Sequence, residues 1–235
     1  MPTPLPQQQT CPSASRRLVR GARLGLPILL GYVPVGMAFG ILARADGFTA
    51  AQAIVCSATA LAGAGQFIAL ALMTAGADLA SVLAATAVVN LRYVLFGATL
   101  SPHLAATPLA RQAVLAYTLT DETFAVNIDD LRRGTGDDLT MLGVGLVSWI
   151  GWVAGTVAGV LASSVLGDPS RFGAEYAMVA MFTALLVAQA EDRRHVIVGI
   201  MAAMVAIVCA VVLPGTWYII VAAIVAATVG AVVFR

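Results

Sequence analysis

Three short polar stretches interrupt an otherwise apolar chain, and they hold the residues that can do chemistry. Val88-Val89-Asn90-Leu91-Arg92-Tyr93 lies inside the apolar run Leu79–Leu100, Gly63-Ala64-Gly65-Gln66 precedes it, and Thr120-Asp121-Glu122 follows it. A charge at bilayer mid-depth costs about 2.5–3.5 kcal/mol on insertion scales, so an intramembrane arginine needs a countercharge or a wet cavity. Asp121 and Glu122 are the candidate partners of Arg92. Snorkelling to an interface is the bland alternative, but Arg92 is eight residues from Leu100, about 12 Å at helical rise. Asn90 and Arg92 are two apart, about 200° around a helix, and so reach different neighbours.

These groups must be carried by membrane spans. Residues 1–22 hold Pro, Gln, Ser and arginines and read as a disordered cytoplasmic tail ahead of one transmembrane domain, 23–235. Ser15-Arg16-Arg17 invites a signal-peptide reading, which the long apolar run without a cleavage site disfavours. Segment 1, Leu24–Ala43, carries Pro27 and Pro34 on one face and the small-xxx-small pair Gly36 and Gly40. Segment 2, from Ala51 to about Ala75, is weakened by Gly63, Gly65 and Gln66 and reads either as a broken helix at a binding site or as a packing notch. Segment 3 is Leu79–Leu100. Segment 4, Gln112–Ile128, holds Tyr117 four residues before Asp121, and Thr118 four before Glu122; it can cross only if buried among other helices. Segments 5 to 8 are Leu139–Gly167, Ala174–Ala190, Val196–Leu213 and Trp217–Phe234. Segment 5 repeats the four-residue glycine spacing at Gly151, Gly155 and Gly159, while Trp149, Trp152, Trp217 and Tyr218 read as interface markers.

Composition agrees. Residues AVILMFWYC make up 60% of 235, charged residues 11%, and mean hydropathy is +0.92, against about 45–50% and 25% in soluble domains. The fold class is an all-α integral membrane bundle. A net charge of +1 gives no sign of a nucleic-acid partner. Cys11, Cys56 and Cys209 lack metal or disulfide spacing, and His103 and His195 fall at loop edges. No serine elbow, HExxH or GxxxxGK[ST] motif occurs, so neither an enzyme nor a cofactor is expected, and energy for any transport must come from an ion gradient.

Loop arginines predict topology. With segment 4 crossing and the N-terminus cytoplasmic, Arg16, Arg17, Arg20, Arg23, Arg132, Arg133, Arg193, Arg194 and Arg235 lie inside and Arg44, Arg111 and Arg171 outside. With segment 4 out of the membrane the balance becomes five against seven. The positive-inside rule thus predicts eight spans with both termini cytoplasmic. A faint repeat pairs Gly25-Leu26…Gly31-Tyr32-Val33 with Gly145-Leu146…Gly151-Trp152-Val153, and Gly36…Gly40 with Gly155…Gly159. Eight spans make its halves parallel; removing segment 4 makes them inverted.

The series Gly25-Leu26-Pro27…Gly31-Tyr32-Val33-Pro34-Val35-Gly36, Gly63-Ala64-Gly65-Gln66-Phe67, Asn90-Leu91-Arg92-Tyr93-Val94-Leu95-Phe96-Gly97 and Thr120-Asp121-Glu122-Thr123-Phe124 resembles the AzlC-like large subunits of branched-chain amino acid exporters. The resemblance implies a secondary permease of the bacterial cytoplasmic membrane that works with a small AzlD-like membrane subunit and exports leucine, isoleucine, valine or related residues. On that reading Asp121 or Glu122 accepts from a substrate ammonium. Arg92, Asn90 or freed amides near Gly63–Gln66 donate to its carboxylate, and Tyr117 and Thr120 lie close by. A buried carboxylate is also a natural proton carrier. A channel, or a scaffold in which these polar groups only glue helices, are the rival readings.

Overall fold

The computed structural model describes residues 13–166 and 192–212 continuously, with isolated positions from 176 to 190 and from 221 to 230. Segment 6 and segment 8, with Trp217 and Tyr218, lie largely outside the described residues. The described chain is helical: α1 (Ala14–Ala45), α2 (Ala50–Thr59), α3 (Gly63–Thr74), α4 (Leu79–Asn90), α5 (Arg92–Leu100), a 3-10 turn (Ser101–Leu104), α6 (Leu109–Tyr117), α7 (Asp121–Arg132), α8 (Asp138–Leu166) and α9 (Arg193–Val212). Ala14–Ala45, Leu79–Leu104, Asp138–Val165 and Arg193–Val212 are long and apolar enough to cross a membrane. Large side chains such as Leu30, Leu79, Leu95 and Leu161 point outward, as lipid-facing residues do.

The frame is α1 zipped along α8. Gly21, Gly25, Gly36 and Gly40 face Thr140, Val144, Trp152 and Thr156, while Gly151 and Gly155 face Leu29 and Val33. Residue numbers rise together along both helices, so the pair is parallel. A methyl group at Gly36 would stand 2.6 Å from the Trp152 carbonyl oxygen; only glycine permits this backbone approach. The two glycine ladders are therefore consumed by each other and are not free surfaces for another subunit. The expected tail also shrinks. Helix α1 begins at Ala14, because Arg17 reaches Asp137 at 2.8 Å and Asp138 at 3.0 Å, and Arg20 binds Asp130.

Segments 2 and 4 are not straight crossings. Arg111 at the start of α6 pairs with Asp138 at the start of α8, while Asp130 near the end of α7 pairs with Arg20. Both ends of α6–α7 thus lie at the N-terminal end of α1. Its turn, Thr118-Leu119-Thr120, lies deeper, with Thr118 against Gly145 and Thr120 against Tyr32. Segment 2 mirrors it from the other end. Gln66 Nε2 donates to Ser57 Oγ at 3.2 Å, and Ser57 meets Thr156 at 2.8 Å. In one straight helix residues 57 and 66 would stand about 13 Å apart along the axis. Helices α2 and α3 therefore form a hairpin with its turn at Ala60-Leu61-Ala62. Helix α3 then packs antiparallel on α4 through Leu72, Val82 and Ala85, with Gly65 at Asn90. The line α4–α5 carries the chain back to the other end, where Leu100 joins Leu115, Leu119 and Met141. Between the parallel α1 and α8 the described chain crosses once, flanked by two hairpins entering from opposite ends.

Candidate functional site

The hairpin turns and the interruption of α4–α5 at Leu91 meet at one depth and line a partly open cavity of about 450 Å³, within the usual range for small-molecule sites. Helix α1 contributes Pro27, Ile28, Gly31, Tyr32 and Val35; the α2–α3 turn contributes Leu61, Gly63 and Ala64; α5 contributes Arg92 and Tyr93. Thr120, Asp121 and Glu122 begin α7, and Trp152 comes from α8. Helix α1 runs on unbroken past Pro27 and Pro34, which supply no N–H to its ladder. Each break elsewhere has its own chemistry. At the α2–α3 turn, Ala62 no longer bonds Ala58, whose freed carbonyl accepts from the Tyr117 hydroxyl and from Trp149 Nε1 (3.1 Å). At α7, Thr120 caps the helix: its Oγ1 accepts from the Thr123 N–H while Thr123 Oγ1 accepts from the Thr120 N–H.

The polar side is an ion pair. Arg92 Nη2 lies 3.0 Å from Asp121 Oδ2, with side-chain exposures of 24% and 14%; this is a mostly desolvated pair, where loss of one partner is costly. The Arg92 guanidinium also covers the Tyr93 ring at 5.3 Å. Beyond that contact, Arg92 Nε and Asp121 Oδ1 have no hydrogen-bond partner among the described residues, and neither does Asn90 Oδ1. Glu122 is held differently. The Tyr32 hydroxyl lies 2.5 Å from its Oε2 and 2.8 Å from Thr120 Oγ1. The opposite wall is apolar, with the Trp152 ring set edge-on to Tyr32 at 5.5 Å.

Of the residues singled out in the sequence, Arg92, Thr120, Asp121, Glu122, Gly63 and Pro27 line the cavity. Asn90 and Arg92 do reach different neighbours: Asn90 stands behind the cavity against Gly65. Gln66 lies outside it, 5% exposed, donating to Ser57 and accepting from Trp152 Nε1 at 3.0 Å. Tyr117 is turned to the Ala58 carbonyl, and Pro34 faces outward. Gly36 and Gly40 serve the α1–α8 seam. Among the cavity residues not singled out for the site are Trp152 and Tyr32. Trp152 is 2% exposed and packs with Phe39 and Phe67, so it is no interface marker; burial became acceptable because its N–H meets Gln66. Tyr32 entered the sequence reading only within the Gly31-Tyr32-Val33 stretch, with no role of its own. Among the described residues no cluster of His, Cys, Asp and Glu could hold a metal.

The model of the AzlC protein family matches residues 27–166, a range containing every cavity residue. The chain is 31% identical over 204 residues to the inner membrane protein YgaZ of Escherichia coli, covering 84% of this chain and 82% of that one. It is 32% identical to an uncharacterised membrane protein of Archaeoglobus fulgidus, covering 77% and 80%. It is 25% identical to the branched-chain amino acid transport protein AzlC of Bacillus subtilis, covering 72% and 67%. No solved structure matches the chain.

Proposed function

Because the chain belongs to the AzlC protein family, we propose that it is a secondary transporter that exports branched-chain or related apolar amino acids across the cytoplasmic membrane. The observation that carries this reading is the cavity itself: a mostly apolar pocket at mid-bundle, lined by the turns of hairpins entering from both ends, with one ion pair in its wall. Broken helices at a midplane site are a recurring feature of transporters. The sequence has no nucleotide-binding motif, so an ion gradient drives the cycle. The arginine-rich end of the bundle is cytoplasmic on this reading. Arg16, Arg17, Arg20, Arg23, Arg111, Arg132 and Arg133 lie toward that end, and Arg44 lies at the other; this is the asymmetry of the positive-inside rule. A cytoplasmic C-terminus would rest on segments outside the described residues. A small AzlD-like membrane subunit completes the exporter, and its docking face lies away from the α1–α8 glycine seam.

The test is efflux of labelled leucine, isoleucine and valine from cells carrying this chain with and without such a subunit. Efflux should rise above that of cells lacking the chain, respond to collapse of the proton gradient, and be small without the subunit. Unchanged efflux of all three, with the pair at normal membrane abundance, would sink the reading.

A further inference from the structure

We infer that the cavity binds the free α-amino acid zwitterion by parting the Arg92–Asp121 ion pair, the α-carboxylate going to Arg92 and the α-ammonium to Asp121. This rests on the transport reading above and deepens it. The direct contact uses one nitrogen of Arg92 and one oxygen of Asp121. It leaves Arg92 Nε without an acceptor and Asp121 Oδ1 without a donor, both buried. A zwitterion brings both complements at once, acceptor oxygens and an N–H₃⁺ donor, so each protein charge exchanges its partner for another of the same sign. A lone carboxylate or a lone amine repairs one side and strands the other, which is expensive for side chains as little exposed as these. Asp121 rather than Glu122 is the ammonium site, because Tyr32 already donates to Glu122 Oε2, whereas Asp121 Oδ1 is buried without a donor. The side chain of the ligand then lies along Ile28, Val35, Leu61 and Trp152, a wall that accepts aliphatic groups and offers them no polar partner but the Tyr32 corner.

The experiment is displacement of labelled L-leucine from the purified full-length chain by L-leucine, L-leucinamide and 4-methylpentanoate. The amide lacks the carboxylate; the acid lacks the ammonium. Each analogue should be at least about tenfold weaker than leucine, since a site built for a charged hydrogen-bonding group rejects the ligand lacking it. In Asp121→Asn the acid should come within about threefold of leucine, and in Arg92→Gln the amide should. Either analogue matching leucine within about threefold on the unmodified chain overturns the inference, and so does a reversal of the two variant patterns. The unmodified chain decides alone if the variants do not fold. Leucine exported by cells while the analogues compete equally removes only this binding mode. Absence of both binding and export for leucine, isoleucine and valine alike removes the transport reading together with it.

Discussion

Removing Arg92 alone strands Asp121 in a desolvated wall, whereas removing both leaves nothing unpaired. Arg92→Leu should therefore cost about 3 kcal/mol or more, and Arg92→Leu with Asp121→Leu should recover most of it. Membrane abundance and thermal stability in detergent measure both effects, and leucine efflux should stay absent in the double variant. Efflux near normal in the double variant would make the pair structural. Tyr32→Phe asks a gentler question. It removes the hydroxyl shared by Thr120 and Glu122 while keeping the ring on Trp152, so folded abundance should hold while efflux falls about tenfold or more. The charged residues were legible in the sequence because charge inside an apolar run is expensive and therefore conspicuous. Tyr32 and Trp152 were not, because an aromatic residue in a span is ordinary until its neighbours are known. Tyr117 misled for the same reason: i,i+4 spacing from Asp121 presumes one continuous helix, and the chain turns between them.

Among the elements, glycine spacing fixed the packing of α1 but not the identity of its partner. The four-residue ladders say that a backbone comes close; they do not say which one, and here each ladder is the other's partner. Substitution separates the seam from the rest of α1. Gly36→Leu should abolish folded protein in the membrane, because the new side chain would enter the α8 backbone, whereas Gly31→Ala meets nothing within 4 Å and should keep normal abundance and stability. Equal loss in both would remove the seam as the cause. The hairpins were hidden for a physical reason. The α2–α3 turn falls on Ala60-Leu61-Ala62, just before the glycines, where no residue is a helix breaker. What holds the turn open is tertiary: Tyr117 and Trp149 from distant helices take the Ala58 carbonyl. A total of apolar residues counts each hairpin as one span.

At the scale of the whole molecule the hairpins change the labelling pattern. In a chain cleared of its own cysteines, Ala105→Cys and Arg133→Cys should react from the same side of the membrane, and Asp46→Cys and Ala75→Cys from the other. Residues 105 and 133 reacting from opposite faces would restore segment 4 as a crossing. The end that holds 105 and 133 also sets an acid limit. Burial pushes the Asp137 carboxyl up, but hydrogen bonds from Arg17 and from the Thr140 and Leu139 N–H groups outweigh it and hold the carboxyl below its usual value. A group depressed in the folded state contributes stability above its unfolded value, near 3.9, and loses it as pH falls through the folded value. Melting temperature should thus be flat above about pH 5 and drop below about pH 4, with part of that drop absent in Asp137→Asn. The parallel seam has a consequence for the order of assembly. Parallel helices set their positive N-terminal dipole ends side by side. Helix α1 has no acid in its first turn, but Arg16 and Arg17, so charge opposes its own beginning. The acids that offset this, Asp137 and Asp138, sit at the start of α8, about 120 residues later in the chain. The first turns of the first helix therefore become secure only once the insertion machinery has delivered α8. A nascent chain that stalls before Asp138 should leave residues 14–20 open to protease, and one extended past α8 should protect them.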